Sequence, residues 1–241
     1  MARAGRVVAD ALTLLAEHVR PGVTTAELDA IAEEFILSQD GYPTFKGYRG
    51  YPAATCLSPN DMVVHGIPGP YVLEDGDILS VDVGVTLGGF VGDSAYTFAV
   101  GDISPEAERL LETCQAALAA GVEQCRAGQR LSDISHAIQK VTEEAGFSVV
   151  RSLVGHGVGR SMHEDPQIPN YGPPSRGPLL AEGMVFAIEP MINAGGPDVV
   201  VHDDEWSISS KDGSLSAHFE HTVAVTEEGP RVLTAAPVLL R

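Results

Sequence analysis

Four carboxylates stand in segments that otherwise read as strands. Asp82 and Asp93 flank Gly88-Gly89. Before the glycines, Val81, Val83, Val85 and Leu87 alternate with Ser80, Asp82, Gly84 and Thr86, the period of two that marks a strand. A Gly-Gly hairpin loop then pairs Leu87 with Phe90 and Gly84 with Asp93. Asp82 falls on the same face, diagonal to Asp93 and about 7–8 Å away. Two carboxylates so placed repel each other, and they require a cation or a retained proton. A solvated polar face would also accommodate this hairpin taken alone. Glu189 closes Met184–Ile188, a continuous apolar run typical of a buried strand. A carboxylate there is costly unless it is paired or binds metal. Glu220 lies in 215–226, where Phe219, His221, Val223 and Val225 share one face and His218, Glu220, Thr222 and Ala224 the other. Either glutamate alone is compatible with a structural role; the four acids together point to a cation.

The histidines complete the set. His156 sits in Gly155-His156-Gly157-Val158-Gly159, where the small neighbours let backbone approach closely. His163 follows seven residues later, and His65 lies in Val63-Val64-His65-Gly66. His18, His136, His202 and His221 read as ordinary core or surface histidines. Cys114 and Cys125 share one predicted helix and read as core. Four carboxylates and one imidazole suit two hard or borderline divalent ions better than a thiolate-rich zinc site would. Two such ions about 3.5–4 Å apart can hold a hydroxide between them and polarise a carbonyl or phosphoryl oxygen. The residues therefore suggest a di-metal hydrolase, with peptide and phosphate ester both open.

The elements that must carry these groups come in a repeated order. Residues 3–19 have helical periodicity, closed by Pro21-Gly22. Thr24 and Glu27 form a capping box before a second helix, Ala26–Ser38. Residues 42–100 read as strands and turns. Ser104-Pro105 then opens a long helix to about Arg126, and Leu131–Ala145 makes another. Strand-like segments follow at 147–155, 184–192, 199–210 and 215–226, the last two joined across Asp212-Gly213. Residues 166–178, rich in proline and glycine, read as a loop. Each half thus runs helix, helix, strands, which predicts a duplicated α+β unit.

Composition bounds the setting. The chain has 241 residues, 44% of them hydrophobic, and a formal charge of −18. That length and core capacity predict one domain spanning 1–241. Residues 1–120 carry 6 basic and 17 acidic side chains and residues 121–241 carry 9 and 16, so the acidity is not confined to a tail. Nucleic acid and anionic membrane surfaces are poor partners for such a chain. No apolar run reaches the length of a membrane span, and residues 7–19 contain Asp10, Glu17 and His18, unlike a signal peptide. Three cysteines, an odd number without a CxxC, favour a reducing, cytoplasmic setting.

Five segments, in order, resemble the methionine aminopeptidases of the pita-bread metallopeptidase family. They are Cys56-Leu57-Ser58-Pro59-Asn60 leading to His65-Gly66-Ile67-Pro68; Asp82-Val83-Gly84 with Gly92-Asp93-Ser94; Gly155–Gly159 to His163-Glu164-Asp165-Pro166; Ile188-Glu189-Pro190; and Ser214–Ala217 through Phe219-Glu220-His221-Thr222. The resemblance runs from residue 1 to about 235. It implies two pseudo-symmetric helix-helix-strand halves around a curved antiparallel sheet. It also implies that Asp82, Asp93, His156, Glu189 and Glu220 ligate two divalent ions (Co, Mn, Fe or Zn), with Asp93 and Glu220 bridging. His163 would hydrogen-bond the scissile carbonyl, His65 would sit near the leaving amide nitrogen, and Glu189 would shuttle the proton. Phe45, Tyr48, Tyr51, Cys56, Met162 and Trp206 would line the methionine pocket, although each alone also reads as core.

The implied activity is removal of N-terminal methionine from nascent proteins and peptides, favoured when the second residue is small. The chain itself begins Met1-Ala2, the form of such a substrate. A monomer is expected, with room for a transient ribosome contact. The short spacings from His163 to Glu189 and from Glu189 to Glu220 leave no space for the helical insertion of the family's type II members, and the short bacterial type I form is expected. Members commonly carry about a dozen more residues before the segment that starts here at Met1. Arg49 stands where many have His, His218 where Gln is common, and Val64 where Cys is frequent. Other readings are a different exopeptidase on this fold, such as an Xaa-Pro dipeptidase, and a non-catalytic pita-bread binding module.

Overall fold

Local capping sets where the helices begin. The computed structural model describes residues 1–236. Among them α1 spans Ala2–Ala16, α2 Thr25–Ser38, α3 Pro105–Gln124 and α4 Leu131–Glu144. At α2 the Thr24 hydroxyl accepts the Glu27 N–H at 3.2 Å, and the Glu27 carboxylate accepts the Thr24 N–H at 2.8 Å. At α3 the Ser104 hydroxyl accepts the Ala107 N–H at 3.1 Å, with Pro105 in the first helical position. Each cap is worth about 1 kcal/mol. The first helix stops earlier than its periodicity predicts. Glu17 and His18 donate to carbonyls only three residues back, which tightens the last turn.

All strand pairings among the described residues are antiparallel. In the first half, Ile78–Leu87 pairs with Phe90–Ala99, and its other edge takes Thr55–Pro59 and Tyr42–Pro43. The Gly-Gly register is as predicted, with Leu87 opposite Phe90 and Gly84 opposite Asp93. Gly88 and Gly89 hold φ of 60° and 77°, a conformation that glycine adopts without steric cost. In the second half a five-stranded sheet orders Gly229–Val232, His221–Thr226, Val185–Ile188, Val154–Gly157 and Glu164–Pro169. Each half has its own core. Leu12, Leu15, Leu28 and Ile36 bury α1 and α2 against Val81, Val83 and Val85. Leu110, Leu118, Ile134 and Ile138 bury α3 and α4 against Phe186, Ile188, Phe219 and Val223. The order helix, helix, strands thus appears twice.

Other sequence expectations also change: the segment 147–155 divides into Ser148–Val149 and Val154–Gly157, which lie in different sheets. Residues 166–169, the start of the segment assigned to a loop, belong to the strand Glu164–Pro169 at the edge of the five-stranded sheet, where Pro166 and Pro169 can be accommodated. The segment 199–210 folds back on itself as Val199–Val201 against Ile208–Ser210, and Ile208–Ser210 pairs onward with Met62–Val64 and not across Asp212-Gly213. The segments 184–192 and 215–226 are each split. Val185–Ile188 and Met191–Asn193 belong to different sheets, as do Ser216–His218 and His221–Thr226. Glu189-Pro190 and Phe219-Glu220 are the crossing points, so both glutamates stand where the chain passes between sheets.

Candidate metal centre

The crossing points and the hairpin converge on one cavity of about 180 Å³. It is lined by Asp82, Asp93, His156, Glu189 and Glu220, by His65 and His163, and by Phe45, Tyr48, Arg49, Tyr51, Cys56, Met162 and Trp206. Every residue singled out from the sequence as a ligand, catalytic group or pocket wall therefore faces the same space. Among the described residues, Asp93, His156 and Glu220 bring one ligand atom each to within 4.8 Å of one another. Asp82 and Glu189 flank this trio.

Hydrogen bonds between the halves hold the acids in place. The Thr222 hydroxyl accepts the Asp93 N–H at 3.0 Å and donates to the Asp93 carbonyl at 2.7 Å. The Ser94 hydroxyl donates to the Glu220 carbonyl at 2.5 Å, and the Glu220 N–H donates to the Ala95 carbonyl at 2.9 Å. Within the second half, the Asn170 amide donates to the Glu189 carbonyl at 2.9 Å. Sequence reasoning did not single out Ser94, Thr222 or Asn170. Ser94 and Thr222 had one available signal, their positions one residue after Asp93 and two after Glu220; Asn170 had none.

His156 supplies the clearest test of a cation site. Its ring Nδ1 lies 2.9 Å from the Gly157 carbonyl, which can only accept, so the proton sits on Nδ1. Its Nε2 lone pair then faces Glu189 Oε1 at 3.4 Å and Asp93 Oδ2 at 3.8 Å. Burial, followed by the neighbouring His163, lowers the His156 pKa to about 4 and keeps the ring neutral. Burial and then the neighbouring carboxylates hold Asp82, Glu189 and Glu220 well above the usual carboxylate range. Burial lifts Asp93 to about 7, against hydrogen bonds with Glu220 and the Ser94 backbone. Asp82 Oδ1, Asp93 Oδ1 and Glu220 Oε1 are buried without a hydrogen-bond partner. Lone pairs facing one another across a small gap, with orphaned oxygens around them, fit divalent cations. The close approach of backbone to His156 depends on its glycines. A Cβ at Gly155 would strike the Ala187 carbonyl, and one at Gly157 the Asp165 carbonyl.

The remaining lining residues sort by depth. Phe45, Tyr51, Cys56 and Met162 are buried, while Tyr48 and Trp206 are half-buried and Arg49 and His163 exposed. The Tyr51 hydroxyl is used up on the Thr55 and Gly66 carbonyls, at 3.0 and 2.9 Å, so its ring faces the cavity as an apolar surface. Tyr51 meets Trp206 edge-on with ring centroids 5.1 Å apart. His65 holds a left-handed φ of 60°, and burial lowers its pKa to about 4. His163 Nδ1 is 2.8 Å from the Tyr48 hydroxyl, and its ring lies 4.3 Å from that of His156. His218 Nε2 is 3.8 Å from Glu189 Oε2 and has no hydrogen-bond partner. The histidines read as structural do bond elsewhere: His18 to the Leu14 carbonyl, His136 to the Gly172 carbonyl, His202 to Ser209 and His221 to Thr234. Cys114 and Cys125 lie in the second core, as expected.

The chain belongs to metallopeptidase family M24, which it matches over residues 1–227. Its fold is the α+β pita-bread fold of that family. It is 53% identical to a methionine aminopeptidase of Clostridium perfringens, over 97% of this chain and 94% of that one. It is likewise 53% identical to methionine aminopeptidase 1 of Bacillus subtilis, with the same coverage. The crystal structure of the Rickettsia prowazekii methionine aminopeptidase superposes with a TM-score of 0.96 at 42% identity, covering 98% of this chain and 95% of that one. A prolidase from Pyrococcus furiosus shares the fold alone, at 22% identity and a TM-score of 0.79.

Proposed function

We propose that this chain hydrolyses the peptide bond after an N-terminal methionine, with preference for a small second residue, on nascent proteins or short peptides. The observation that carries this reading is the His156 lone pair facing Glu189 and Asp93 in a small cavity that Phe45, Tyr51, Cys56, Met162 and Trp206 also line. Asp82, Asp93, His156, Glu189 and Glu220 would hold two divalent ions, with Asp93 and Glu220 shared. When bound, the ions would supply Lewis-acid polarisation of the carbonyl and a nucleophile at neutral pH. Phe45, Tyr51, Cys56, Met162 and Trp206 receive the methionine side chain against rings and sulfur, with Tyr48 at the rim. The Tyr48 hydroxyl lies 2.8 Å from His163 Nδ1; with the hydroxyl as donor, His163 Nε2 would carry the proton offered to the scissile carbonyl oxygen. His65, neutral, faces the leaving amide nitrogen. Glu189 carries the proton from the attacking water to the leaving amine.

We take residues 1–241 as one catalytic unit, a reading supported by ligands drawn from both halves. The cytoplasm and a monomeric state are proposed on the same footing, together with a transient ribosome contact. Three buried free cysteines support the reducing setting, and no helix among the described residues is long and apolar enough to cross a membrane. The test is a metal panel of Mn, Fe, Co and Zn with two peptides. Met-Ala-Ser should release methionine while a Met-Lys peptide stays largely intact; no release with any of the four ions would overturn the reading.

A further inference from the structure

The cavity wall is acidic below and carries a single cation above. Arg49 is the one lysine or arginine among its described lining residues. It is exposed and sits in a tight turn with a left-handed φ of 49°, between Gly47 and Gly50, whose φ values are also positive. Its guanidinium lies over the Tyr48 ring, 5.4 Å from the centroid. Tyr48 in turn is bonded to His163, so the cation is anchored at the rim beside the group proposed to meet the scissile carbonyl. Lys46, three residues before Arg49, is otherwise engaged, paired with Glu33 at 2.5 Å. No ion pair with a carboxylate engages Arg49 among the described residues. With the methionine side chain in this cavity of about 180 Å³, the substrate beyond the cleaved bond would leave across the rim.

We propose that Arg49 reads the charge of the substrate beyond the cleaved bond, favouring peptides with an acidic third residue over those with a basic one. This rests on the aminopeptidase reading above and adds a substrate class to it. The interaction is between exposed charges, so it is modest and screened by salt. Its value lies in local contrast: elsewhere a chain of charge −18 repels acidic peptides and attracts basic ones.

The test compares kcat/KM for Met-Ala-Glu-Ser and Met-Ala-Lys-Ser, with neutral Met-Ala-Ser as reference, in the wild type and in Arg49→Gln, Arg49→Glu and Arg49→Lys. Thermal melts check that each variant folds. The acidic-to-basic ratio should fall about two- to fivefold in Arg49→Gln, the range of an exposed ion pair. It should fall further in Arg49→Glu, recover in part in Arg49→Lys, and converge across variants at high ionic strength. A ratio equal in the wild type and the folded Gln and Glu variants, or a change that salt does not reduce, would overturn the proposal while leaving the aminopeptidase reading intact. Failure of the metal-loaded wild type to cleave the neutral peptide would overturn both.

Discussion

Asp93 is the residue on which the centre turns. It is 2% exposed, faces the His156 lone pair, and has a backbone held at both ends by Thr222. Asp93→Asn keeps the shape and removes the charge, so activity should vanish and bound metal should fall by at least one ion per chain, read by elemental analysis. Full metal content with retained activity would contradict a bridging role. The raised carboxylate pKa values have a second consequence. In the metal-free protein these acids keep protons that they lose in the unfolded chain. Metal-free stability should therefore fall as pH rises from the ordinary carboxylate range through about 7, where Asp93 titrates. Metal binding must expel those protons, so affinity should weaken as pH falls through the same range. Calorimetric titrations in buffers of different ionisation enthalpy would measure the proton release directly; no release would refute the assignment.

At the scale of elements, the question is what holds two sheets at the right separation. Asp93 lies mid-strand in the first half and Glu220 at a sheet crossing in the second, and hydroxyls of Thr222 and Ser94 tie them together. Thr222→Val strands a buried N–H and a buried carbonyl, which costs about 1–3 kcal/mol for each group left unsatisfied. A fall in melting temperature is expected, together with weaker metal binding. Thr222→Ser retains the hydroxyl and should recover both. If Thr222→Val lost stability but bound metal as before, the hydroxyl would be a fold brace only. Alternation and the Gly-Gly turn made the Asp82–Asp93 hairpin legible in the sequence. The breaks at Glu189-Pro190 and Phe219-Glu220 were not, because the apolar run Met184–Ile188 and the alternation through 215–226 each read as one strand while the hydrogen-bonding partners change.

Across the whole molecule, the site is the seam between two similar halves, each with its own core. Ions bound across that seam stabilise only the folded chain. Removing them with a chelator should lower the melting temperature, and adding Mn or Co back should restore it in a concentration-dependent way. A melting temperature indifferent to chelator would show that the seam holds without metal.

The candidate ligands were legible from sequence because a carboxylate in an apolar strand is costly and so conspicuous, and because resemblance tied five such segments into one pattern. The hairpin register and the helix starts were legible too, since turns and caps act over a few residues. Their assembly was decided by tertiary structure. Ser94 and Thr222 look like ordinary polar residues until the halves pack and bring their hydroxyls against Asp93 and Glu220, and Asn170 does so until the second half folds and brings its amide against Glu189. The strand at 164–169 is hidden by its prolines and is permitted by its edge position. The direction of the His156 lone pair depends on one carbonyl, that of Gly157, and on strands that only the folded chain brings alongside. Local sequence specifies which groups exist and how each short segment turns; only long-range packing sets the distances between them, and those distances make a cluster of acids into a site for cations.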